Sequence, residues 1–267
     1  NLLVLKTMIS LAETLCAAGR CSEAKPLLAD VLERRRERDP SPAQRGAVLD
    51  KLQRILAEGG QYQAAAEYLN QAVEIYLREP GQHEFACRTL LPPLIRYFEN
   101  AADYAQAQQQ AERLLTQSIA AAGPGGFHAA DAHYLLGEVL NARGQYKAAL
   151  PHLEQAASVL KLPGKELYRK RTLIALGVSL LGVGRPKDAL QQLRQANRIA
   201  GTPSSLRVFP NGEEVAADAD FTLARILYQL DGNANAAEIR DVLESAKKGY
   251  TDSGLISQRK LSALNEW

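Results

Sequence analysis

The sequence predicts an all-α protein, an α-solenoid of stacked antiparallel helix pairs, and three observations support that prediction. A similar segment recurs every 40 to 42 residues along the 267-residue chain. Within each copy, apolar residues lie at three- and four-residue spacing on both sides of a tight turn, which is the pattern of two amphipathic helices. Clusters of Pro and Gly separate the copies in the same phase. Because one helix pair cannot bury its apolar face alone, neighbouring pairs are expected to stack.

The copies differ in how clearly they repeat. Residues 52–72, 136–156 and 176–196 align without gaps, whereas residues 11–31 and 94–114 are weaker copies. The residues expected at the turns are Gly19, Gly60, Ala102, Gly144 and Gly184. Gly is present at four of these five turns, where it permits the positive φ that ends a helix. We therefore predict five clear helix pairs and a degenerate sixth.

The whole chain, residues 1–267, is predicted to form one solenoid domain. Its helix pairs are expected at about 5–38, 46–79, 88–122, 130–162 and 170–200, with the degenerate pair at 217–250 and a closing helix at 255–267. The closing helix is amphipathic, with Leu261, Leu264 and Trp267 at three-residue spacing. The stretch 201–218 is too long for a plain turn, and its role stays open.

The repeat resembles a known family in specific positions. Leu-Gly early in the first helix, Gly at the turn, Tyr two residues later and small or apolar residues in the second helix are seen at Leu136, Gly137, Gly144, Tyr146, Ala149, Leu153 and Ala156. This pattern resembles the tetratricopeptide repeat. The unit exceeds the common length of about 34 residues, so it is similar to the extended repeats of kinesin light chains and bacterial signalling regulators. The first and third copies lack the Leu-Gly pair, and the fifth has Pro186 where Tyr is usual.

The resemblance implies a right-handed superhelix that binds a protein or peptide in a concave groove. In the resembled family that groove is lined by the first helix of each pair, opposite the core-facing Leu. The matching positions here are Asp50, Arg54, Glu58, Arg96, Asn100, Tyr134, Glu138, Asn141 and Arg171. Arg54 and Arg96 are suited to a carboxylate or a peptide backbone. The alternative for Arg54 is a solvated pair with Asp50 or Glu58 at i, i+4 spacing.

Tyr62, Tyr104 and Tyr146 share one repeat position beside the turn. An aromatic residue that recurs there is expected to pack as a wedge between helices rather than to form a ligand site.

Composition and motifs exclude several functions. A net charge of +2 gives no electrostatic footprint for nucleic acid, and no apolar run is long enough for this fragment to insert into a membrane. No phosphate loop, dinucleotide fingerprint or nucleophile elbow is present, so neither an enzyme nor a cofactor is predicted. His128 and His133 lie five residues apart, a spacing that puts them on different helix faces, so no metal site is predicted.

Two other functions remain open beside a protein- or peptide-binding module. One is a self-association scaffold, a homodimer formed through Ile174, Val178 and Leu181 or through the first helix. The other is a receptor for a small molecule or signal peptide. The closing segment resembles the end of the repeat region in bacterial serine/threonine kinases and transcription regulators, which implies a sensory or scaffolding part of a larger bacterial signalling protein.

Three cysteines, Cys16, Cys21 and Cys87, are an odd number and suggest reduced thiols and a cytoplasmic protein. The periplasm is the alternative if a membrane span precedes this segment in the parent protein. The chain opens at Asn1 within an apolar run, so we expect an excised fragment of something longer.

Overall fold

A computed structural model of the chain describes residues 2–38, 42–159, 165–199, 212–231, 236–252 and 258–266. Over these residues the secondary structure is helical, as predicted, and the chain divides into two compact units, Asn1–Leu114 and Leu115–Trp267. The prediction of a single domain with the unit bounds given above stays a prediction. The stretch 200–211, the start of the predicted closing helix before Gln258, and Trp267 lie outside the described residues.

The first unit consists of helix pairs. Its helices are α1 (Leu2–Ala17), α2 (Cys21–Arg38), α3 (Pro42–Glu58), α4 (Tyr62–Arg78), the short α5 (His83–Phe85) with a π-helical turn (Ala86–Leu90), α6 (Leu91–Asn100) and the start of α7 (Tyr104–Ala122). α1 packs on α2, and α3 packs on α4. Leu28, Leu49, Leu52 and Leu69 are completely buried between them. Each such side chain contributes about 1.5–3 kcal/mol of hydrophobic stabilisation.

The second unit continues the same arrangement. Its helices are α8 (Phe127–Ala142), α9 (Tyr146–Val159), α10 (Glu166–Gly182), α11 (Pro186–Arg198), α12 (Gly212–Asp231), α13 (Ala236–Asp252) and α14 (Gln258–Glu266). α8 packs on α9, α10 on α11, and α12 on α13. Leu264 of α14 packs with Tyr250 and Ala217, and Lys260 pairs with Asp218 at 2.7 Å. The last described helix therefore covers the end of the α12–α13 pair.

All five predicted turns have the expected backbone. Gly19, Gly60, Gly144 and Gly184 have φ between 71° and 78°, and Ala102 has φ 61°. At the fourth turn, for example, Gly144 N donates to Asn141 O over 2.9 Å. These bonds satisfy carbonyl groups at the end of the first helix of each pair. The turn positions read from the repeat are confirmed.

Tyr146 acts as the packing wedge that the sequence predicted. A Cβ atom added to Gly182, in the next repeat, would overlap the Tyr146 ring. The glycine therefore leaves the space that the ring fills, and the two repeats are in close contact at this point.

The cysteines correct one expectation. Cys16 and Cys21 form a disulfide across the first turn, with their Cα atoms 4.2 Å apart, and both are buried. The expectation of reduced thiols is therefore wrong for this pair, and Cys87 is a buried cysteine outside any disulfide. The disulfide packs against Gly59, where any Cβ atom would overlap the Cys21 sulfur. Helices that end and begin at one tight turn bring their terminal residues within disulfide reach.

Candidate functional site

In the first unit, two of the predicted groove residues of α3, Asp50 and Arg54, form an ion pair with each other at the surface. Arg54 donates to Asp50 Oδ2 over 3.1 Å, and its side chain is 62% exposed. Asp50 also accepts a bond from Gln53 Nε2 at 3.1 Å. Glu58 is exposed one turn further along α3. The pairing that the sequence left open for Arg54 is the one seen, and such an exposed pair contributes about 0–1 kcal/mol.

Tyr97 of α6 adds an aromatic group to these residues. Burial raises its pKa to about 12, and the negative charges of Asp50 and Glu58 act in the same direction, against the opposing effect of Arg54. The Tyr97 and Tyr62 rings lie 6.2 Å apart between centroids. The phenol therefore stays neutral and can both donate and accept a hydrogen bond. Arg96 and Asn100 are half-buried on the same helix.

Sequence reasoning missed Tyr97. One feature of the sequence could have pointed to it: Tyr97 is an aromatic residue at a repeat position that holds Val139 and Ser179 in later copies. That feature was hidden because Tyr97 follows Arg96 directly, and consecutive residues point to different faces of a helix.

In the second unit, three of the predicted groove residues, Tyr134, Asn141 and Arg171, take part in packing. Tyr134 is 2% exposed, and the Arg171 guanidinium lies 5.4 Å from the centroid of its ring, within the range of a cation–π contact. Asn141 donates from Nδ2 to Ala175 O over 2.8 Å, and its Oδ1 accepts a bond from the Ser179 hydroxyl over 2.6 Å. The Asn141 amide therefore bonds α8 to α10. Glu138, on α8 between these positions, is half-buried. The ligand role of the nine groove residues stays a prediction.

The apolar positions named for self-association need a correction. Ile174 and Leu181 are 5% and 1% exposed, because they lie in the core of the second unit. These two side chains leave no surface for a second copy, whereas Val178 is half-buried and its role in self-association stays a prediction. Apolar exposure is found instead on the first helix, at Leu3 (67%), Val4 (43%) and Leu11 (48%).

The titratable groups of the second unit include one close histidine pair. His133 Nδ1 and His152 Nδ1 are 2.9 Å apart, so that one ring donates a hydrogen bond to the other. Burial and the neighbouring His152 lower the pKa of His133. Among the described residues, no three His, Cys, Asp or Glu side chains come together to hold a metal. None of the described helices combines the length and the apolar character needed to cross a membrane.

Helix pairs that repeat in this way, with Gly at the turns and a Tyr wedge between neighbours, define a helical repeat protein. The Tetratricopeptide repeat family model matches residues 3–78 and 128–200. The chain belongs to the tetratricopeptide repeat family. No curated protein sequence matches it significantly.

Solved structures share the fold at low identity. BtubC (BKLC) from P. vanneervenii has a TM-score of 0.56 at 22% identity, over 72% of this chain and 78% of that chain. A putative kinesin light chain from Podosopora anserina with nearly identical TPR-like repeats has a TM-score of 0.52 at 22% identity, over 73% and 94%. The apo form of RapI has a TM-score of 0.60 at 13% identity, over 98% and 96%. At these identities the likeness shows the helical-solenoid fold alone.

Proposed function

We propose that this chain is a non-catalytic protein- or peptide-binding module, serving as the sensory or scaffolding region of a larger bacterial signalling protein. Membership in the tetratricopeptide repeat family supports a binding role. The observation that carries the proposal is a set of polar residues in the first unit, here called the α3–α6 stripe. It consists of Asp50, Arg54 and Glu58 of α3 and Tyr97 of α6. There the guanidinium of Arg54 is 62% exposed, and Tyr97 has a phenol that stays neutral because burial raises its pKa to about 12.

This stripe suits an extended peptide that carries a carboxylate. An incoming carboxylate can replace Asp50 as the partner of Arg54 at little cost, because the existing pair is largely solvated. The Tyr97 hydroxyl can bond the peptide backbone beside it.

The test is a pull-down from lysate of the source cells, followed by direct binding of the recovered protein to the purified chain. The Arg54→Glu, Arg96→Glu double variant should lose the partner that the wild type captures. Arg78→Glu is the matched control, since Arg78 is 82% exposed at the end of α4. If the double variant and the control bind that partner equally well, the stripe is not the binding site.

A self-association scaffold is the second candidate, because α1 exposes Leu3, Val4 and Leu11. Light scattering after gel filtration tests it over a range of protein concentrations. A dimer that a Leu3→Lys, Leu11→Lys variant abolishes would favour the scaffold, and a monomer at every concentration would exclude it.

The disulfide also bears on the compartment. Structural disulfides persist in oxidising environments, so Cys16–Cys21 supports the periplasmic alternative over the cytoplasmic one.

A further inference from the structure

The second unit contains a cavity of about 370 Å³ that is separate from the predicted groove. α9 and α11 flank it, and Leu173, Leu176 and Leu180 of α10 contribute its apolar part. None of the nine groove residues is among those that line it. The volume falls within the range of about 300–1,000 Å³ that is typical of ligand pockets.

Arg169 supplies this cavity with a cation. Its Nε atom is buried and makes no hydrogen bond with any described residue. A buried N–H group without an acceptor is costly, so an oxygen atom brought into the cavity would stabilise it. The other arginine of the lining, Arg185, is bound to Asp188 at 2.6 Å and is therefore already neutralised.

The arginine and glutamine of this lining recur in the first unit, without the leucines. Arg45 and Gln71 line a cavity of about 350 Å³ beside α4. Arg45 lies 124 residues before Arg169, and Gln71 lies 124 residues before Gln195, which lines the cavity of the second unit. The Arg–Gln pair therefore occupies the same two positions in the second and fifth repeats. The other copies hold Val4, Cys87 and Ala129 at the arginine position, so the feature is specific to these two repeats.

We propose that the cavity of the second unit binds a carboxylate attached to an aliphatic group. Arg169 bonds the carboxylate, the three leucines contact the aliphatic part, and Gln195 bonds a neighbouring polar group of the ligand. A free aliphatic acid and the acidic residue of a leucine-containing peptide both carry this chemistry. The inference does not rest on the proposed groove function, since it concerns different residues.

Calorimetric titration of the whole chain tests the proposal with two acids, octanoate and acetyl-Leu-Glu-Leu-amide. The neutral counterparts are octanamide and acetyl-Leu-Gln-Leu-amide. We expect saturable binding of one acid, and binding about tenfold weaker for its neutral counterpart, since a charge-assisted hydrogen bond is lost. The acid that binds identifies the source of the carboxylate.

Variants locate the site. Arg169→Gln should weaken binding of the acid about tenfold, whereas Arg194→Gln, an exposed change on α11 outside the cavity lining, should not. Gln195→Glu should also weaken it, because a further carboxylate then joins Glu154 and Asp188 in the lining and repels the ligand. This variant decides the matter if Arg169→Gln does not fold. The proposal is overturned if neither acid binds saturably, if the neutral counterparts bind equally well, or if the cavity variants bind like the wild type.

Discussion

The hydroxyl of Ser179 donates a hydrogen bond to Asn141 Oδ1 over 2.6 Å and so connects α10 to α8. Ser179 is completely buried, and the Asn141 amide completes the link by donating to Ala175 O. A polar residue that the repeat pattern assigns to the groove thus holds two neighbouring repeats together. Its contribution to stability can be measured apart from any ligand.

Replacing Asn141 with Ala should lower the free energy of unfolding of the second unit by about 1–3 kcal/mol, because two hydrogen bonds between α8 and α10 are lost and each contributes about 0.5–1.5 kcal/mol. The Ser179 hydroxyl can still donate to Ala175 O within α10, over 3.4 Å. Urea denaturation followed by circular dichroism measures the loss. Asn265→Ala, at an exposed position of α14, is the matched control and should change stability little. Equal effects of the two substitutions would show that the link contributes nothing.

Two glycines at the same repeat position should respond in opposite ways to alanine. A Cβ at Gly137 would lie 2.5 Å from the side chain of buried Leu153, whereas at Gly177 the nearest atom is 3.7 Å away. Gly137→Ala should therefore destabilise by about 1–2 kcal/mol through overpacking. Gly177→Ala should stabilise by about 0.5–1 kcal/mol through helix propensity. Thermal melting of both variants checks the prediction, which fails if they shift Tm in the same direction.

The third turn has an alanine in the left-handed backbone conformation, which glycine adopts at lower energy. Ala102 has φ 61°, where the other four turns have Gly. Ala102→Gly should stabilise by about 0.5–1 kcal/mol, since relief of left-handed strain of about 1–2 kcal/mol exceeds the added entropy of the unfolded chain. Gly144→Ala makes the reverse change at the equivalent position of the fourth turn. Nothing lies within 4 Å of a Cβ added there, so the expected loss of about 1 kcal/mol reports the backbone alone. A loss of stability in Ala102→Gly would contradict this account.

Stability should fall in mild acid because of the His133–His152 pair. The folded state lowers the pKa of His133, so between about pH 6.5 and that lower value the unfolded chain binds more protons than the folded one. The free energy of unfolding therefore carries no penalty from His133 above about pH 6.5. It falls as the pH drops from there to the lowered pKa of the folded state, and it levels off below that pKa. Melting curves from pH 7.5 to 4.5 measure this dependence. His133→Gln should flatten it, and an unchanged pH dependence in this variant would contradict the assignment.

Chain purified without reductant should contain one free thiol, Cys87, when titrated in denaturant, and three after reduction. Reduction should lower the free energy of unfolding by about 2 kcal/mol, the entropy that a short loop regains when it opens. A Cys16→Ser, Cys21→Ser variant should show the same loss without reductant and should be insensitive to it. Three free thiols before reduction would contradict the disulfide.

The repeat period predicted the features that depend only on where a residue lies within one helix pair, namely the helices and the turns between them. The turn at Ala102 was found although it lacks Gly, because its neighbours fix the phase. Contacts between elements were not predictable in the same way. Whether Asn141 faces a ligand or Ser179 depends on how closely α8 and α10 stack, and periodicity does not specify that distance. The number of cysteines shows only that at least one of the three is outside an intrachain disulfide. That is equally consistent with three reduced thiols and with one disulfide across the first turn.

The fit of Tyr146 against Gly182 means that these repeats are not interchangeable parts. In the fourth repeat the position of Gly182 is held by Ala142. A tandem duplication of that repeat would give a tyrosine followed by an alanine at the receiving position, the combination that Tyr104 and Ala142 already hold in the chain. The ring of the copy could then not lie where Tyr146 lies, because a Cβ atom would overlap it there. A longer array, whether built by gene duplication or by design, would keep the Tyr146 packing only if the glycine at the receiving position were copied along with the tyrosine.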